Sequence, residues 1–193
     1  MAAAARVLDT SFYLGGGVAV AMHLAHRESR DLDFFSGTSD PSQLADAFAQ
    51  SSDQVRILDR SAGTLHLEIV GVPVSALRYA YPSLATPLRM TGVPIPVASV
   101  EDLVAMKLSA IAGRGALRDF WDLSALLDRT HRSLADALAL FRAKYAREDV
   151  GHVVRSLAYF ADADAEPLPA GMTAERWRRM RADFQERVRT LEE

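Results

Sequence analysis

The pattern of apolar and polar positions changes character near residue 99. Before that point the chain reads as short β-prone runs separated by turns. "SFYL" stops at Gly15-Gly16-Gly17, and "VAVAMHLAHR" then carries helix-forming alanine, leucine and methionine with no breaker. "RDLDFF" follows as a strand. Asp40-Pro41 has the form of an N-cap with proline at the first helical position, which predicts a helix to about Gln50. "VRIL", "TLHLEIV" and "VPVSALRY" are predicted strands, with Gly71 turning between the last two. The proline-punctuated stretch from Pro82 to Pro96 predicts loop plus a short extended segment.

Beyond residue 98 the spacing is helical. Ser99 with Asp102 has the signature of a capping box, and a helix is expected to about Ala112. Gly113 and Gly115 interrupt it, "LRDFWDLSALLDR" starts another, and two or three more are expected from Ser133 onward, interrupted by "DADAEPLPAG". The prediction is therefore an α+β chain, with an α/β core over residues 1–98 and a helical lobe over 99–193.

Composition narrows the function classes. The 193 residues are 49% hydrophobic and 24% charged, as in ordinary globular proteins. A formal charge of −3 argues against a globally basic nucleic-acid coat and leaves room for a local basic groove. There is no cysteine, so disulfides, thiolate metal sites and cysteine nucleophiles are excluded. The apolar start is interrupted by three glycines, and charged residues resume at Arg27, too soon for a membrane span; a cytoplasmic protein is expected.

Two clusters could carry chemistry. Asp31 and Asp33 alternate with Leu32, and on a strand residues i and i+2 share a face. Two carboxylates on one face repel unless a cation lies between them, and hard oxygen ligands suit Mg²⁺ or Mn²⁺. The alternative is a solvated strand end beside Arg27 or Arg30. Gly15, Gly16 and Gly17 stand at a strand-to-helix junction, where backbone amides can approach a phosphate; a tight turn with close packing is the other reading. Together they would set phosphate-binding amides beside a divalent-cation site, as transfer from a nucleoside triphosphate (NTP) requires.

The second cluster lies in "EDLVAMKLSAIAGRGALRDFWDLSAL". Lys107 interrupts an apolar helical stretch, so it either snorkels to solvent or reaches a polar site as a phosphate ligand. Asp119 and Asp122 share a helix face, with Arg114 and Arg118 nearby. A Gly-Arg-Gly turn joining two helices, with Arg118 and Asp122 as an i,i+4 pair, explains the same residues without chemistry.

"YLGGGVAVAMHLAHRESRDLDFFS" followed by "DLVAMKLSAIAGRGALRDFWDL" resembles the nucleotidyltransferase toxins of the AbiEii/AbiGii abortive-infection family. The likeness covers the first half and the first two helices of the second, and fades after Arg129. It implies a polymerase-β-like nucleotidyltransferase core with a mixed sheet, a helical lobe behind it and an active site in the cleft between them. It also implies a toxin paired with an antitoxin, transferring a nucleoside monophosphate from an NTP to an acceptor such as tRNA. By position, Gly15 and Gly16 would form the phosphate-binding turn with Gly17 following, and Asp31 and Asp33 would bind Mg²⁺. Lys107, with Arg118 nearby, would contact the nucleotide, while Asp119 or Asp122 would orient Lys107 or assist at the acceptor.

The chain departs from the family pattern at two places. Gly17 stands where a hydroxyl residue is common. Ser75 occupies "VPVSALRY", the strand expected to bring a third carboxylate. Glu68 on the preceding strand could substitute, although its alternation makes it an exposed strand residue. Without a third acid the chain either uses an assisting group elsewhere or is a catalytically silent nucleotide-binding protein. His23 and His26, three apart, lack a third ligand at metal spacing; His26 and Arg27 belong to the family-like block, near a phosphate. Arg178, Arg179 and Arg181 could touch RNA, but Glu175, Asp183 and Glu186 on the same segment favour a solvated helix face.

Overall fold

The computed structural model describes residues 1–52 and 54–191, which form two compact units. The first comprises Met1–Met22 and Ser29–Ser99; the second comprises His23–Glu28 and Val100–Glu193.

The first unit is built on a mixed sheet of β1 (Tyr13–Gly15), β2 (Leu32–Ser36), β3 (Val55–Ser61), β4 (Thr64–Ile69) and β5 (Val72–Arg78), in the order β1-β2-β5-β4-β3. Only β2 and β5 run parallel; the other neighbours are antiparallel. The apolar face follows from alternation. Leu65, Leu67 and Ile69 of β4 and Val74 and Ala76 of β5 are all buried, while His66, Glu68 and Ser75 between them are half-buried. The β4–β5 connection is the two residues Val70 and Gly71, with φ of 53° and 75°. Two positive φ values make the mirror-image hairpin turn whose twist matches that of its strands.

Helix α1 (Gly16–Leu24) starts directly after β1, and α2 (Ala45–Ser51) follows a 3-10 turn over Pro41–Leu44. Asp40 caps that turn, its carboxylate accepting from the Ser42 amide at 3.0 Å. The extended segment expected within Pro82–Pro96 lies at the end of that stretch and runs past it, with isolated bridges joining Val97 to Leu88 and Leu14. Leu14 donates to the Pro96 carbonyl and Ala98 donates to Leu14, each at 2.8 Å, so residues 96–98 run beside β1.

The second unit is helical: α3 (Val100–Arg114), α4 (Leu117–Thr130), α5 (Leu134–Tyr145), α6 (Gly151–Leu157), α7 (Ala161–Ala165) and α8 (Ala174–Arg189). Phe120, Phe160, Trp177 and Phe184 form its aromatic centre, Phe120 lying 5.3–5.8 Å from the other three rings. Ser133 and Asp136 close a reciprocal capping box on α5, and Thr173 caps α8.

Several boundaries correct the sequence expectations. Asp31 lies one residue before β2 rather than inside it. The three glycines do not form a separate turn, because strand passes into helix between Gly15 and Gly16. Helix α3 continues through Gly113 to Arg114, since a glycine in a packed helix costs only about 1 kcal/mol. Among the described residues four helices follow Ser133, and "DADAEPLPAG" contains part of α7. Among the described residues no helix is long and apolar enough to cross a membrane.

Candidate active site

The glycine junction is shaped by one close approach. Gly15 pairs with Asp33 across β1 and β2, and Gly16 takes φ +64°, a conformation that L side chains rarely adopt. A Cβ on Gly16 would overlap Asp33 Oδ2. Glycine is therefore required twice here, by backbone conformation and by the carboxylate lying against it. Asp33 is half-buried within β2, and Asp31 is exposed at its entrance.

This arrangement fits Mg²⁺. That ion typically takes one or two carboxylates, keeps several waters and completes its shell with substrate phosphates. The space left by the missing Gly16 side chain is where the Asp33 carboxylate sits, at the N-terminus of α1. Among the described residues no group of three histidine, aspartate or glutamate side chains is placed to hold a metal by itself. His23 and His26 accordingly form no such site, and Glu68 is held by exposed Arg56 at 3.3 Å.

On the same sheet, Ser75 pairs with Asp33 in the β2–β5 register and with His66 in the β4–β5 register. His66 Nδ1 and Ser75 Oγ are 3.0 Å apart. The sequence reading singled out Ser75 only for not being an acid. What it lacked was the register, which sets His66 directly across from it.

The second cluster belongs to the helical unit and is buried. Lys107 Nζ sits between Asp119 Oδ1 at 2.8 Å and Asp122 Oδ2 at 2.6 Å. Lys107 is 5% exposed, so it does not snorkel; both aspartates are at 0–1%. Arg27 grips Asp122 with two bonds, Nε to Oδ1 at 2.6 Å and Nη2 to Oδ2 at 2.8 Å. His26 Nε2 meets the same Oδ1 at 2.8 Å. Arg114 holds Asp119 in the same forked way at 2.7 and 3.0 Å. The fork geometry matches carboxylate geometry, which a lysine could not reproduce.

Burial acts to raise both carboxyl pKa values, but the opposing contacts win. Hydrogen bonds from His26 and Arg27 and the Lys107 charge hold Asp122 far below the usual carboxylate range. Arg114 and Lys107 hold Asp119 below it as well. Both stay ionised, and three cations, Lys107, Arg27 and Arg114, face two carboxylates. The Lys107 ammonium donates a hydrogen bond to Asp119 Oδ1 and forms an ion pair with Asp122 Oδ2.

The expected Arg118–Asp122 pair does not form. Arg118 is exposed, and Asp122 is taken by His26, Arg27 and Lys107. The i,i+4 rule was outweighed by partners that burial brought from other segments. Arg27 as the grip on Asp122 was missed; its place in "AHRES" gave no local hint of a partner 95 positions away. Phe120 and Trp121 are core, as expected. The arginines of α8 are largely engaged: Arg179 with Glu175, Arg181 with Asp164 at 2.6 Å and Arg187 with Asp183 at 2.7 Å. This is a solvated helix face on which these arginines are paired, although the six arginines of α8 outnumber its three acids.

The family model for "Nucleotidyl transferase AbiEii toxin, Type IV TA system" matches residues 1–59 and 48–192. An uncharacterized protein of Aquifex aeolicus (strain VF5), aq_aa25, is 36% identical over 160 residues, covering 80% of this chain and 76% of that protein. Two solved structures share the fold. One is a candidate nucleotidyltransferase from H. pylori, with a TM-score of 0.56 at 17% identity, covering 99% of this chain and 92% of that one. The other is the nucleotidyltransferase toxin MenT4 of Mycobacterium tuberculosis H37Rv, with a TM-score of 0.55 at 16% identity, covering 93% and 80%. The α+β architecture, the mixed sheet and the family match agree: this chain belongs to the AbiEii nucleotidyltransferase toxin family and is a nucleotidyltransferase.

Proposed function

We propose that this protein transfers a nucleoside monophosphate from an NTP to an RNA acceptor, with tRNA as the favoured class, and acts as a toxin opposed by a cognate antitoxin. The observation that carries the reading is the Asp33 carboxylate lying against side-chain-free Gly16 at the strand–helix junction. Asp31 and Asp33 would hold Mg²⁺ or Mn²⁺, which supplies charge neutralisation at the phosphate oxygens. The amides of Gly16 and Gly17, at the N-terminus of α1, bind phosphate oxygens through their N–H groups and the helix dipole.

Lys107 donates to the triphosphate and offsets charge that develops on the leaving pyrophosphate. Asp119 and Asp122 are positioning residues: Asp119 accepts a charge-assisted hydrogen bond from the ammonium, and Asp122 pairs with it at 2.6 Å. Arg118, exposed at the start of α4, adds a long-range attraction for the nucleotide. The acceptor hydroxyl attacks the α-phosphorus in line and pyrophosphate departs.

The test is incubation of purified protein with total tRNA, Mg²⁺ and each labelled NTP in turn, beside an Asp33→Ala variant. Label on tRNA with the parent alone is the expected result and names the nucleotide. Label on protein instead would move the acceptor while keeping the chemistry. No label on any acceptor would overturn the reading.

A further inference from the structure

In-line transfer requires the attacking hydroxyl to lose its proton as its oxygen bonds to phosphorus. Aspartates committed to a cation are poor proton acceptors, so another group beside Asp33 must serve. The sheet register points to one. Asp33 on β2, Ser75 on β5 and His66 on β4 stand directly opposite one another in one row. Opposed residues of a ladder project to the same face. Their neighbours along each strand, Leu32 and Phe34, Val74 and Ala76, Leu65 and Leu67, are buried on the other face. The three polar residues are half-buried, and His66 Nδ1 lies 3.0 Å from Ser75 Oγ.

The groups around the imidazole are few. On β3, exposed Asp59 is the register partner of His66. On β4, Glu68 lies two residues on and bonds Arg56 of β3. β5 contributes Ser75, and the 3-10 turn packed against β4, Pro41–Leu44, carries no charged residue. Along the row, the sequence Asp33, Ser75, His66, Asp59 runs carboxylate, hydroxyl, imidazole, carboxylate.

Resting on the nucleotidyltransferase reading, we propose that Ser75 and His66 form the proton relay of the transfer. Neutral His66 carries its hydrogen on Nε2 and accepts from the Ser75 hydroxyl at Nδ1. As the acceptor oxygen forms its bond to the α-phosphorus, its proton passes to Ser75 Oγ, and the Ser75 proton passes to His66 Nδ1. The bond from the α-phosphorus to the leaving oxygen breaks, and pyrophosphate takes the electron pair. Ser75 is the group that meets the acceptor; His66 acts through it.

The experiment measures steady-state transfer by the parent, His66→Ala, Ser75→Ala, Ser75→Asp and the double variant Ser75→Asp/His66→Ala, each first checked by thermal melting. Either alanine variant should lower kcat by about 100-fold with KM for the NTP unchanged, the scale of a general base. Ser75→Asp places a carboxylate in register with Asp33, so the double variant should regain most of the parental rate. Its rising pH limb should lie at more acidic pH than the parent's. A purely structural His66 would not be rescued in this way. Ser75→Ala, the milder change, decides the matter if His66→Ala melts early. Parental kcat in both alanine variants, or a loss that Ser75→Asp leaves unrepaired, would overturn the relay while leaving the transferase reading standing. A parent that labels no acceptor would overturn both.

Discussion

The sheet cluster and the helical cluster are both built from aspartates, yet they are opposites in design. Asp31 and Asp33 sit at the exposed entrance and half-buried middle of one strand, against backbone that cannot carry a side chain. Asp119 and Asp122 are almost wholly buried, and each is held by a forked arginine and the shared Lys107. The first pair is open to solvent on at least one side. The second is a buried network of ion pairs around Lys107. Burial, more than residue type, separates the two clusters.

The largest expected effect follows from the first member of this comparison. Asp33→Asn should abolish transfer, a loss on the order of 100-fold or more, the scale of removing a key electrostatic group. Its melting temperature should stay close to the parent's. Gly16→Ala should come next. The new methyl needs the space of the Asp33 carboxylate and a backbone conformation costing about 1–2 kcal/mol. Transfer should fall together with a moderate drop in denaturant midpoint.

The helical cluster should break in the opposite way, through stability. Asp122→Ala leaves Arg27 buried without its anion and Lys107 with Asp119 alone, which should cost about 3–5 kcal/mol by urea unfolding. Lys144 and Asp102 sharpen the point. They form a buried pair at 2.6 Å between α5 and α3, with no place in the proposed chemistry. Lys144→Met should destabilise by a similar amount without changing kcat per folded molecule. Adding Asp102→Leu should recover much of that loss.

A smaller, pH-dependent difference follows from the depressed carboxyls. Asp119 and Asp122 have folded pKa values below the ordinary 3.8, so the stability they contribute is fully present above that value. It is lost as pH falls through and below it. The parent's unfolding free energy should therefore drop steeply below about pH 4, and Asp122→Asn should flatten that slope. The smallest effect belongs to exposed α8, where Arg179→Ala should change stability by no more than about 0.5 kcal/mol.

The strands and principal helices were legible because their signals are local. Alternation marked β4 and β5, Asp40-Pro41 marked a capped turn, and the GGG-to-DLD spacing marked the strand–helix–strand opening. The candidate residues stood out too, as a lysine inside an apolar stretch and carboxylates at alternate positions. Their partners did not. Arg27 reaches Asp122, Lys144 reaches Asp102 and His66 reaches Ser75 through packing or register, which no window of neighbouring residues contains. Local charge rules proposed Arg118 for Asp122, and burial chose three other groups instead. The short α7 was hidden because "ADADA" resembles a loop in composition, yet it is fixed by Asp164, which accepts from Trp177 Nε1 at 2.7 Å.

The central claim is that the sheet cluster carries the chemistry, and one measurement meets it directly. Pyrophosphate release from NTP in the presence of tRNA would be followed across a Mg²⁺ titration, for the parent and Asp33→Asn at equal folded concentration. Mg²⁺-dependent release by the parent and none above background by the variant is the predicted result. Equal release by both proteins would contradict the account, because the reaction would then proceed without the carboxylate that Gly16 makes room for.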